Sequence, residues 1–151
     1  MTVFPKLTKE EMTEKIQGYF DYLTHERPDT ANAIFSPELI DCDPDTFSLS
    51  VLFPITDNMK NSSGIAHGGI IAMAYDMTMG TLAKLYQNGR MSPTLNMGFT
   101  FIKPVPAGES IIISARATGT AKHTIDFECS AVLKSAPDTT VNTAYGKFFI
   151  Y

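Results

Sequence analysis

The residues able to do chemistry gather in one stretch. His67-Gly68-Gly69 stands where a polar loop, Asn61-Ser62-Ser63-Gly64, gives way to a long apolar run, and Asp76 is the only charged side chain in that run before Lys84. Ala, Met and Leu fill the run without proline, so it reads as one buried helix with a carboxylate in mid-span. The first N–H groups of a helix lack internal partners and lie at the positive end of its dipole. An oxyanion or a polarised carbonyl oxygen is stabilised there, and a glycine at 68 lets a ligand approach the backbone closely. The glycines would equally serve a tight turn into the helix, so the tripeptide alone does not choose. Asp76 says more, because a carboxylate in apolar surroundings costs free energy unless it has partners or a task.

Spacing limits how these groups can cooperate. Asp76 follows His67 by nine residues, about 13.5 Å along an ideal helix and about 180° around it. Within one chain the two side chains cannot act on one atom. Either one of them is structural, or the site is shared between two copies, with His67 and Gly68 of one facing Asp76 of the other. Downstream, Thr94 and Asn96 alternate with Leu95, Met97 and Phe99. A hydroxyl near Asp76 would orient the carboxylate or a water, whereas periodicity alone reads both polar residues as solvent-facing. His123, at a strand start, reads as a surface residue, and His25 suits a helix end. No Ser/His/Asp elbow, phosphate-binding loop, dinucleotide fingerprint or metal-ligand spacing is present.

The elements that must position these residues follow from patterning. Thr8-Lys9-Glu10-Glu11 has the form of a capping box, and Met12, Ile16, Tyr19, Phe20 and Leu23 follow at helical spacing, with the helix ending before Pro28. Strands are expected over 38–42 and 46–55, joined by Asp43-Pro44-Asp45, with Phe47, Leu49, Val51 and Phe53 forming the buried face of the second. The loop 56–64 leads into the central helix, which Asn88-Gly89 ends, the glycine being available as a left-handed cap. Further strands are expected over 94–103, 110–118, 124–133 and 141–150. The turns between them fall at 104–108 and 119–122, with a break at Pro137-Asp138. Strand runs after a helix imply an α+β fold with an antiparallel sheet, and a helix apolar on nearly all sides must be wrapped by it.

Bulk properties exclude several classes. With 151 residues the chain fits one domain, 1–151, with a helical extension over 1–30 and a core over 38–150. A net charge of −4 argues against nucleic acid as main partner, since phosphate binding rests on Lys and Arg. Cys42 and Cys129 lie far apart, outside any CxxC spacing, and read as reduced strand residues. The N-terminus lacks the apolar segment of a signal peptide. The run 65–83 is long enough to raise a membrane span, but its His, Asp, three glycines and two threonines oppose it. The expectation is a cytoplasmic protein without a membrane partner.

Taken together, Asn61-x-x-Gly64-x-x-His67-Gly68-Gly69, Asp76, Pro93-Thr94-Leu95-Asn96 and Phe101-Ile102-Lys103-Pro104 through Gly108-Glu109 resemble the hotdog-fold acyl-CoA thioesterases, in particular the phenylacetate-degradation and thioesterase-superfamily-member-2 branch. The resemblance covers roughly residues 38–150. It implies a curved antiparallel sheet around the central helix, paired with a second subunit and further into a dimer of dimers, with active sites at the dimer interface. It implies that the Gly68 N–H polarises the thioester carbonyl and that His67 and Asn61 position that end of the substrate or the lytic water. Asp76 of the other subunit would be general base or nucleophile, and Thr94 would orient the water. Gly69 would help bind the substrate, and Lys103, Arg116 and Lys122 are the candidates for the coenzyme A phosphates. No cofactor is implied beyond the coenzyme A of the substrate. A non-catalytic acyl-CoA sensor and a hydratase or dehydratase are the alternatives on the same fold.

Overall fold

The computed structural model describes residues 4–151; the first three residues of the expected N-terminal extension lie outside the described residues. Helix α1 (Lys9–Asp21) starts as its capping box dictates: Thr8 Oγ1 accepts from Glu11 N–H at 3.1 Å, and Glu11 Oε2 accepts from Thr8 N–H at 2.8 Å. It runs on into a π-helical turn (Tyr22–Glu26) and buries Met12, Ile16, Phe20 and Leu23. The chain then makes β1 (Glu38–Asp43), β2 (Ser48–Pro54), the long helix α2 (Gly68–Tyr86), β3 (Thr94–Phe101), β4 (Ser110–Ala121), β5 (Thr124–Leu133) and β6 (Ala136–Phe149). The six strands form one antiparallel sheet in the order β1-β2-β4-β5-β6-β3. Helix α2 packs against β2 to β6 and buries Ile71, Ala74, Tyr75, Met77, Met79, Leu82 and Ala83, so the sheet curls around it as its all-round apolarity requires.

Three boundaries differ from the sequence expectation, each for a local reason. The turn after β1 extends through Phe47, which takes a left-handed φ of 47° and drops its ring into the core against Phe4 and Tyr86. Aromatic burial outweighs the strain that a non-glycine residue carries there. The strand pattern therefore begins at Ser48. The turn expected over 119–122 shrinks to Lys122-His123, because a bulge at Thr118 lets Gly119 pair with Asp126 and β4 continue to Ala121. The break expected at Pro137-Asp138 does not occur. Leu133 pairs with Ala136 around a two-residue turn, and β6 carries the proline where register shifts leave it opposite no partner, so its missing N–H costs no ladder bond.

Helix α2 ends in a Schellman cap. Gly89 N–H donates to Lys84 O at 2.8 Å and Asn88 N–H to Leu85 O at 3.1 Å. Asn88 (φ 52°) takes the left-handed cap position foreseen for the glycine, and Gly89 (φ 92°) follows it. Cys42 and Cys129 sit buried and unbridged on β1 and β5. Burial pushes the Cys129 thiol well above its ordinary range. Among the described residues no helix is long and apolar enough to cross a membrane, and no group of His, Cys, Asp or Glu is arranged to hold a metal.

Candidate active site

The N-terminus of α2 can be accounted for donor by donor. His67 is the N-cap residue, and its Nδ1 accepts from Gly69 N–H at 3.0 Å. His67 O accepts from Ile70 N–H at 2.9 Å and Ile71 N–H at 3.1 Å. Of the four leading amides, only that of Gly68 has no acceptor within the described chain. The position expected to polarise a carbonyl is thus the one donor left unclaimed, at the positive end of the dipole. A Cβ at Gly68 would meet the Phe101 ring at 3.4 Å, so this ring walls the approach to the amide.

Because His67 accepts at Nδ1, the neutral imidazole carries its proton on Nε2 and presents a donor outward; the residue is exposed. Asn61 closes the preceding loop. Its Oδ1 accepts from Ser63 N–H at 2.9 Å, its N–H donates to Ile65 O at 2.8 Å, and its carbonyl accepts from Gly64 N–H at 3.0 Å, with Gly64 at φ 77°. His67 N–H donates to Met59 O at 2.8 Å, which fixes this loop against the start of the helix. Gly69 spends its amide on the His67 cap and shapes the helix start.

Asp76 is half-buried two turns along α2, and Thr94 Oγ1 donates to its Oδ1 at 2.6 Å. Strict alternation would send Thr94 to the outer face, opposite Met97 and Phe99. The structure reverses this with a bulge at Leu95. Asn96 pairs with Lys147 and Met97 with Gly146, but Thr94 pairs with Phe148, a buried residue, so the extra residue flips the parity and turns Thr94 toward the helix. Leu95, the bulged residue, is left 52% exposed. The inward row of β3 is therefore Thr94, Met97, Phe99 and Phe101, running from Asp76 at one end to Gly68 at the other. Phe99 joins Phe101 to the buried Tyr75, whose hydroxyl bonds to Asn142.

The three candidate phosphate-binding cations scatter. Arg116 lies on the outer face of the sheet, ion-paired with Glu128, in line with Ser114 and Ser48 rather than with the helix. Lys103 follows Phe101 at the Gly68 end of β3, exposed and without an ion-pair partner among the described residues. Lys122 occupies the β4–β5 turn, also exposed, at the opposite end of the sheet. One residue near the helix escaped the sequence reading. Tyr19 of α1, read as a packing residue, has its phenol raised by burial first, then by Tyr22, with a smaller contribution from the Asp76 charge. The helical period of α1 already aimed Tyr19 inward, but nothing in the sequence named its neighbour.

Residues 63–137 match the family model of the thioesterase superfamily. No curated protein sequence matches the chain. Among solved structures, zebrafish thioesterase superfamily member 2 is 16% identical with a TM-score of 0.81, covering 97% of this chain and all (100%) of its own. The Escherichia coli PaaI protein of the phenylacetic acid degradation operon is 18% identical, with a TM-score of 0.74 and coverage of 93% and 96%. A Streptococcus mutans protein bound to acetyl CoA is 19% identical, with a TM-score of 0.67 and coverage of 78% and 88%. The chain thus has the hotdog fold, and its residues 63–137, across the central helix, are similar to the thioesterase superfamily.

Proposed function

We propose that this chain hydrolyses an acyl-CoA thioester to a free acid and coenzyme A, in a site completed by a second copy. The observation that carries the reading is the Thr94–Asp76 hydrogen bond of 2.6 Å, delivered by a bulge to a carboxylate held within an apolar helix. The match to the thioesterase superfamily supports the reaction class, and the acetyl CoA bound to the Streptococcus mutans relative and the coenzyme A bound to one from Streptococcus pneumoniae support the ligand. The working unit is residues 38–150 as the hotdog core, with the helical extension, described from residue 4 to residue 30, against it.

In the reaction, Asp76 takes a proton from water as the water oxygen attacks the thioester carbonyl carbon. The carbonyl oxygen becomes an oxyanion held by the Gly68 N–H, with His67 Nε2–H and the Asn61 amide directed to the same end of the substrate. Collapse of the tetrahedral intermediate breaks the C–S bond, and the departing thiolate takes the proton back from Asp76. Direct attack by Asp76, through an anhydride, uses the same atoms; single turnover in isotopically labelled water separates the routes, because only the anhydride route leaves label in the carboxylate.

Asp76 stands eight residues beyond Gly68, about 12 Å along the axis and about 80° around it. One thioester cannot meet both from the same chain, so Gly68 of one copy works with Asp76 of another. Among the described residues strand β3 ends the sheet with one edge unpaired, and Leu95, Phe101 and Ile102 are about half exposed along it, which suits pairing with a second copy. Asp76→Ala, folded by circular dichroism, is expected to lose at least about 100-fold in thiol release from acyl-CoA. Full activity in that variant would refute the assignment, and tight acyl-CoA binding without turnover in the unmodified protein would assign a sensor instead.

A further inference from the structure

Between α1 and the C-terminal half of α2 lies a cavity of about 490 Å³, which the reaction above does not use. Its walls are apolar and aromatic, with Leu7, Tyr19, Tyr22 and Leu85 prominent, and Lys84 and Lys15 stand among them. The Lys84 ammonium lies 3.8 Å from the centroid of the Tyr19 ring. Among the described residues it has no carboxylate within ion-pair distance and no hydrogen-bond acceptor. A lysine near a helix C-terminus normally extends into water, with the dipole and an aromatic face for company. Lys84 is instead sunk into the pocket wall, and burial lowers its pKa. The cation–π contact supports the charge but leaves its N–H donors unfilled.

Tyr19 lines this cavity, and its ring covers Lys84. Lys84 lies eight residues beyond Asp76, about 12 Å along the axis and about 80° around it. An acyl chain running from Asp76 toward the C-terminus of α2 would enter this cavity and end at Lys84.

We propose that this pocket receives the far end of the acyl group and that Lys84 pairs with a carboxylate there, so that the preferred substrates are monoacyl-CoA esters of dicarboxylic acids. The inference rests on the thioesterase reading. The cavity lies within the size range of small-molecule sites, and its lining is the mainly apolar surface with few polar groups that such sites use for orientation. Asp76 at the near end repels a second carboxylate, so the acyl group enters in one direction. The alternative anion, a coenzyme A phosphate, fits poorly against walls made of leucine and tyrosine rings.

The test compares suberyl-CoA with octanoyl-CoA, and adipyl-CoA with hexanoyl-CoA, in the full chain and in Lys84→Met, which keeps the stem on Tyr19 and removes the charge. The unmodified protein is expected to show a higher kcat/KM for the dicarboxylic member of each pair, and Lys84→Met to lower that ratio by about tenfold or more. An unmoved ratio overturns the proposal. A fall shared equally by both members also overturns it, since that would place Lys84 at the common coenzyme A moiety. Binding of the same four thioesters to Asp76→Ala, with and without Lys84→Met, gives a readout that needs no turnover. A Lys84-dependent preference there, in a protein that hydrolyses none of them, would keep the pocket and sink the hydrolase. Turnover without such a preference would do the reverse.

Discussion

Gly68→Ala is the substitution that most sharply separates fold from chemistry. Among the described residues, the added methyl group sits beside the one leading amide of α2 that has no acceptor, and it meets only the Phe101 ring, at 3.4, 3.7 and 3.8 Å. Those are ordinary contacts, and Phe101, 53% exposed, has room to yield. Gly68 is not among the positive-φ glycines, so alanine fits its backbone conformation. Removing glycine's extra freedom from the unfolded chain then stabilises the fold by about 0.4–1 kcal/mol. For a chain of this size that raises Tm by about 1–4 °C. The reaction should move the other way. Withdrawing a single oxyanion donor costs about 100- to 1,000-fold in kcat, and a methyl group in the path of the carbonyl approaches that limit. The assay is thiol release from an acyl-CoA beside a thermal melt of the same preparation. Because alanine keeps the N–H, activity within about twofold of the unmodified protein would refute an approach of the carbonyl past the Gly68 Cα to this amide. A Tm several degrees lower would refute the packing argument.

Thr94→Val keeps the β-branched shape and removes the hydroxyl; losing a hydrogen bond to a charged group, worth about 1.5–3 kcal/mol, predicts a fall of about 10- to 100-fold in kcat, with Thr94→Ser retaining most of the rate. Equal rates for Val and Ser would show that the 2.6 Å contact is not used in the reaction. The buried Cys129 gives a pH signature. Its folded pKa lies above the unfolded value of about 8.5, so between the two the native state holds a proton the unfolded state has lost. Stability is therefore undiminished below about pH 8.5 and falls as pH rises beyond it, and Tyr75, raised by burial, adds a second fall above about pH 10. Urea denaturation at stepped pH should show the first slope vanish in Cys129→Ala; a slope that persists would place its origin elsewhere.

How far the sequence reached depended on whether a feature was local. The capping box at Thr8 and Glu11, the helix start at Gly68 and the cap at Asn88-Gly89 involve residues a few positions apart, and the structure has all three. The apolar run around Asp76 likewise carried its own message, because a helix without a polar face must be wrapped. Thr94 shows where pattern reading stops. Period-two alternation put it on the outer face, and only the pairing of β3 with β6, some fifty residues later, reveals the bulge that turns it inward. Nothing within 94–103 encodes that extra residue. Phe47 failed for a related reason: its strand pattern was sound, but the pocket between Phe4 and Tyr86 claimed its ring and set its backbone. The Tyr19–Lys84 contact joins residues 65 positions apart, and no short motif encodes a contact at that range.

The inward row of β3 ties the proposed assembly to the proposed chemistry. Thr94 at its start holds Asp76, and Phe101 at its end covers Gly68, so one strand braces two groups about 12 Å apart that cannot serve the same thioester. The other edge of that strand is one of the two edges of the sheet left unpaired among the described residues. In the proposed dimer, antiparallel pairing along this edge sets the Thr94 end of one copy beside the Phe101 end of the other. The carboxylate of each then stands near the free amide of its partner. A monomer would keep both half-sites folded, since neither the Asp76–Thr94 bond nor the His67 cap crosses to another chain. Dissociation should therefore abolish turnover while leaving the secondary structure intact, so loss of activity on dilution, with the circular dichroism unchanged, belongs to the shared site and not to unfolding.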